Sequence, residues 1–121
     1  MPGGAAGLAS SLAPVRIRDE PFDLAHEVAE AAGVRCQVAV DATLIACGDS
    51  AAFLEACRAA NVRVLSAEGF DLVDGNCRPD IGAILDLGDL DDVARSVDEA
   101  RDFAAAVCRP GLVIEFGLKR G

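Results

Sequence analysis

The chain has no Trp and no Tyr, a single His (His26), a single Lys (Lys119) and five aromatic residues, all Phe. Each scarcity removes a class of chemistry. Without Trp and Tyr, the usual anchors of carbohydrate sites, base-stacking platforms and tight interfaces are missing. With one lysine and no G-x-x-x-x-G-K-[ST] or G-x-G-x-x-G run, a P-loop ATPase, a lysine Schiff-base enzyme and a Rossmann cofactor site are all unsupported. Any Ser/His/Asp or Cys/His machine would have to route through His26. No apolar run approaches the ~18 residues that a membrane-spanning helix needs, so no membrane partner is expected. The cysteines Cys36, Cys47, Cys57, Cys77 and Cys108 include no C-x-x-C, and one His completes no zinc pattern. Neither a metal nor another cofactor is expected.

What is present is a 121-residue, strongly acidic chain with 20 acids against 11 bases, a net charge of −9 and 52% hydrophobic residues. That is room for one domain with a real core built from Leu, Val, Ile, Phe and Cys. The sign of the charge repels phosphate backbones, so nucleic acid is not an expected partner. Residues 1–14 are mostly small and free of acids. They read as a disordered start rather than a targeting segment, with the domain proper over 15–121. An odd number of cysteines without a secretory signal implies reduced thiols in a cytoplasmic protein.

Periodicity supplies the elements. Ala13–Arg18 alternates as a short edge strand. A helix begins near Asp19–Pro21, repeats Leu24, Ala25, Val28, Ala29 and Ala32 at helical spacing with His26, Glu27 and Glu30 outside, and stops at Gly33. Cys36–Cys47 reads as one central strand, with Val38, Val40, Ala42 and Leu44 on one face and Asp41, Thr43 and Ile45 on the other. A second helix opens at Asp49 or Ser50, buries Phe53, Leu54, Cys57 and Ala60, and ends at Asn61 before a strand over Val62–Ala67. Phe70–Pro79 forms a hairpin around Asp74-Gly75, the pair favoured in a type I′ turn. Asp80–Leu87 is read as strand over helix. Val93, Val97, Ala100, Ala104 and Val107 then define a third helix, stopped by Arg109-Pro110-Gly111. Leu112, Ile114, Phe116 and Leu118 alternate with Val113, Glu115 and Gly117 in a closing strand with one buried face. The class is therefore α+β: a single domain with an open mixed or antiparallel sheet of four to six strands, and about three amphipathic helices mainly on one face.

Carboxylates are the richest site material. Asp80, Asp86, Asp89, Asp91 and Asp92 precede the next base, Arg95. Some of them serve a helix N-terminus, and together they offer an acidic docking surface for a basic partner. Asp41 and Glu115 interrupt apolar strands, and with Arg63 and Glu68 they are candidates for a polar patch on the open sheet face. Cys77, after the hairpin turn and beside Arg78, is the candidate reactive thiol. His26 reads as a solvated helix residue, and Cys57 and Cys108 as core thiols.

The leading functional expectation is a non-catalytic interaction or regulatory module, immunity- or inhibitor-like, that binds a basic protein. The alternatives are a small carboxylate enzyme, with or without a divalent metal, built from Asp41, Glu68, Asp86 and Glu115, and a thiol-based sensor. A homodimer formed by edge pairing of the Phe70/Leu72 hairpin is a further possibility.

Overall fold

The computed structural model describes residues 24–39, 42–74 and 76–121. In chain order these form α1 (Leu24–Ala32), β1 (Cys36–Ala39), β2 (Ala42–Ala46), a 3-10 turn (Cys47–Asp49), α2 (Ser50–Ala59), β3 (Val62–Val73), β4 (Asn76–Asp86), α3 (Val93–Val107) and β5 (Leu112–Arg120). The five strands make one sheet in the order β1-β2-β5-β3-β4, antiparallel at every pairing. All three helices share one core cluster with the sheet. Leu24 and Val28 of α1, Phe53 and Leu54 of α2, and Val97 and Ala100 of α3 pack with Ile45, Val64, Ile114 and Phe116. The class is α+β, with the helices layered on one sheet face as the patterning requires. The expected segments 1–14 and Ala13–Arg18, and the first turn at Asp19–Pro21, lie outside the described residues.

Local chemistry explains most of the boundaries. Gly33 adopts φ +69°, and the bonds Gly33 N–H to Glu30 O and Val34 N–H to Ala29 O close α1 in a Schellman end. Asn61, at φ +58°, ends the second helix in the same left-handed region, with its N–H donating to Arg58 O. Asp74 is also left-handed, at φ +51°. Val73 pairs with Asn76, so the Asp-Gly dipeptide makes the two-residue hairpin connection expected of it. Asp92 caps α3 by accepting from Arg95 N–H. The final strand presents Leu112, Ile114 and Phe116 to the core, with Phe116 stacked on Phe53 at 5.2 Å between ring centroids. Such an aromatic pair adds about 0.5–1.5 kcal/mol beyond its buried area.

Several expectations are corrected. Cys36–Cys47 is not one central strand. β1 and β2 pair antiparallel in register Ala39 to Ala42, and β1 is a sheet edge. Val40 and Asp41, between the two strands in sequence, lie outside the described residues. Because the chain reverses between β1 and β2, Ile45 is the fully buried core residue, while Leu44 stands opposite Glu115 on the other face. The strand expected over Val62–Ala67 runs on to Val73, with register shifts between Val64 and Ser66 and between Glu68 and Phe70 on its two sides. The first shift lets Val64 and Ala67 share the core face. Asp80–Asp86, by contrast, is strand as read, the second half of β4. Ala60 is exposed rather than buried, since α2 has already ended. Phe70 and Leu72 do not form a free edge, because β3 has β5 on one side and β4 on the other. The free edge of that hairpin is β4.

The thiols also differ from expectation. Cys47 and Cys108 form a disulfide across 61 positions, joining the 3-10 turn before α2 to the residue after α3. Cys108 is therefore not a core thiol. Cys57 is, fully buried, with its thiol pushed up to about 12 by desolvation.

Candidate binding surface on the open sheet face

The face turned away from the helices is set by register. Across the middle of the sheet, Leu44, Glu115, Glu68 and Ile84 occupy one continuous row, contributed by β2, β5, β3 and β4. The next row toward the sheet end that holds Lys119 contains Gly117, Ser66 and Asp86. The row on the other side contains Ala46, Val113, Phe70 and Pro79. The centre of this face is therefore a strip of carboxylates, Glu115, Glu68 and Asp86, laid among apolar side chains. Leu44 and Val113 are buried there, whereas Ile84 is 54% exposed.

Directly opposed strand residues hold their Cβ atoms about 4.5–5.5 Å apart, close enough for like charges to repel. Glu115 carries that penalty. Its carboxyl is held above the ordinary Glu value, first by desolvation on the half-covered face and then by the Glu68 charge. Among the described residues neither Glu forms an ion pair. Four of the described arginines pair with other carboxylates: Arg58 with Glu55 and Asp98, Arg101 with Glu55, Arg109 with Asp71 and Asp80, and Arg120 with Glu27.

The structure separates the sequence candidates into those bound up in the fold and those left to the surface. Asp80 is held within the fold. Its carboxylate accepts from Arg109 at 2.8 Å and from Gly82 N–H at 2.9 Å, and these bonds keep it below the ordinary Asp value. Arg109 also binds Asp71, so one guanidinium ties the strand bulge at Asp80 to β3. Asp86 accepts from Gly88 N–H, and Asp92 caps α3. Asp89 and Asp91 are exposed in the loop between β4 and α3.

Arg63 lies on the open face opposite Lys119, but its guanidinium donates to Leu90 O at 3.0 Å rather than to Glu115. It therefore positions the Asp-rich loop beside the carboxylate strip. A shallow depression of about 340 Å³, lined by Asp86, Leu87, Gly88, Asp89 and Leu90, marks the meeting of loop and strip. Asp41 lies outside the described residues.

Cys77, opposite Leu72, is exposed as expected. Slight desolvation and the Glu115 charge both raise its pKa, the opposite direction from the one that activates a thiol. Among the described residues, no group of three or more His, Cys, Asp or Glu side chains converges as a metal would require.

Sequence reasoning missed the apolar part of this surface. Ile81 is 84% exposed and Val73 41% exposed along the β4 hairpin. The signal was available in the two isoleucines of P-D-I-G-A-I, but only with β4 placed at the sheet edge do they become surface residues. The contact between His26 and Cys36 was also missed. Compared with known protein families, with curated proteins and with solved structures, the chain matches none.

Proposed function

We propose that the chain is a protein-interaction or regulatory module whose open sheet face and β4 edge receive a basic, partly apolar segment of a partner protein. One observation carries this reading. The opposed Glu68 and Glu115 sit among apolar residues on a face the helices leave uncovered, one of them held against its ordinary ionisation. Like charges kept together at a cost in stability are what a site for a complementary cation looks like. Asp86 extends the strip, Ile84 opposite Glu68 supplies apolar contact, and Ile81 is exposed farther along β4. The β4 edge offers unpaired backbone groups to an added strand. The inhibitor-like role anticipated from composition fits such a surface, since a basic partner would be steered to it by charge.

The carboxylate-enzyme reading uses the same pair, but the described residues put it on an open face rather than between walls. No helix of the described residues is long and apolar enough to cross a membrane. The Cys47–Cys108 bond supports an oxidising compartment over the cytoplasm expected for reduced thiols.

The test is a parallel capture from host lysate with three baits: the wild-type chain, Glu68→Lys with Glu115→Lys, and Asp89→Lys with Asp91→Lys. A basic protein retained by the wild type, released by moderate salt and lost only from the first variant supports the sheet face. Loss only from the second variant moves the site to the loop. Equal retention by all three, or no basic protein at all, overturns the proposal. A second copy of this chain is the competing occupant of the β4 edge. Sedimentation that shows a stable dimer would assign the edge to it.

A further inference from the structure

The Schellman end of α1 turns the chain back so that Cys36, at the start of β1, returns beneath His26 in the first turn of the helix. Cys36 Sγ lies 3.5 Å from His26 Nδ1. On the other side of the ring, His26 Nε2 lies 3.5 Å from Glu30 Oε2, one helical turn along. The two ring nitrogens point in opposite directions, so thiol and carboxylate flank the imidazole and do not converge on a common point. That is the geometry of a relay and not of a chelate.

We propose that Cys36 is a nucleophilic thiol, with His26 as its general base and Glu30 as the residue that orients the ring, and that it accepts acyl groups from activated carbonyl compounds such as thioesters. The contact with His26 gives the thiol proton a place to go at the moment of attack. The Sγ–C bond forms as the Sγ–H proton passes to His26. The bond from the carbonyl carbon to the leaving sulfur then breaks, and the departing thiolate takes the proton back from His26. No electrons are exchanged with an outside reagent.

The surroundings favour this chemistry over oxidation. Cys36 is half-buried against the core, and that desolvation, together with the nearby Glu30, holds its thiol above the usual value. Peroxides and disulfides need a preformed thiolate. A base-assisted attack on a carbonyl begins from the neutral thiol. Of the other free cysteines, Cys57 is fully buried and Cys77 stands far along the chain on the β4 hairpin, and no His accompanies either.

p-Nitrophenyl acetate tests the proposal on the native chain, with release of p-nitrophenolate and acetylation of each cysteine-bearing peptide read separately. Cys36 is expected to acetylate about tenfold or more faster than the more exposed Cys77. In His26→Ala the Cys36 rate should fall by about tenfold or more and recover with added imidazole, while the Cys77 rate and the protection of Cys57 stay as they were. In Glu30→Gln the Cys36 rate should fall by a smaller factor. Cys36 reacting no faster than Cys77 in the native chain overturns the proposal whatever the variants do. A His26→Ala variant that keeps the native Cys36 rate, or one that imidazole fails to restore while Cys57 stays protected, overturns it as well.

Discussion

Glu115 of β5 stands directly opposite Glu68 of β3, so a single cross-strand pair on the open face holds two like charges. Removing either charge relieves the same repulsion. Glu68→Gln and Glu115→Gln should each stabilise the fold at neutral pH by about 0.2–1 kcal/mol, and the double variant by less than the sum. A double-mutant cycle read by chemical denaturation checks this. Strict additivity would mean the two carboxylates do not feel one another.

The same pair sets a pH dependence. The Glu115 carboxyl titrates above its ordinary value of 4.5 in the fold. Its contribution is therefore complete at low pH and is lost as the pH rises from 4.5 through the raised value. The advantage of Glu115→Gln over the wild type should grow across that window and vanish below it. An advantage that does not change with pH would place its origin elsewhere.

Asp80 gives the opposite sign. Arg109 and Gly82 N–H hold its carboxyl below 3.8, so its contribution is present above that value and is lost as the pH falls through the depressed one. In carboxyl-detected NMR titration, Asp80 should titrate below 3.8 in the wild type and move back toward it in Arg109→Gln. An unmoved midpoint would show that Arg109 is not its partner in solution.

The Cys47–Cys108 bond closes a loop of 61 positions. Its removal in Cys47→Ser with Cys108→Ser should cost about 2–4 kcal/mol, read as a lower denaturation midpoint. Thiol titration of the unfolded, unreduced chain should count the three free cysteines Cys36, Cys57 and Cys77. Five thiols would mean the bond does not form.

Ser96 is a buried joint between helix and sheet. Its hydroxyl accepts from Val64 N–H at 3.0 Å beside the β3 register shift and donates to Val93 O. Ser96→Ala leaves that buried N–H without a partner and should cost about 1–3 kcal/mol. Hydrogen exchange at Val64 should speed up in step. Unchanged protection there would assign the amide another acceptor.

Much of the fold was legible where a single local signal decides the structure. Asp74-Gly75, Gly33, Asn61 and the spacing from Val93 to Val107 each fix a turn, a stop or a face by backbone chemistry alone. The reversal between β1 and β2 was illegible because Val40-Asp41 has no Gly, Pro or Asn around it, and the run from Val38 to Ile45 is mostly Val, Ala, Thr, Leu and Ile. Both sides of a hairpin then read as one strand. The Glu68–Glu115 pair was named only as two separate residues. Their opposition depends on β5 entering between β2 and β3, which no local pattern encodes. The same holds for Cys47 and Cys108, brought together by the path of α3, and for His26 and Cys36, brought together by the angle at which α1 meets β1.

The position of β5 also bears on how the molecule comes to be folded. It is the last strand in the described chain, yet it lies in the middle of the sheet, with β1 and β2 on one side and β3 and β4 on the other. During synthesis the two hairpins therefore leave the ribosome with nothing to join them, and their inner edges stay open until Leu112 and the residues after it have emerged. A chain halted before Leu112 would present the inner edges of β2 and β3 in addition to the outer ones, and an uncovered apolar layer, which makes it a substrate for chaperones or for aggregation.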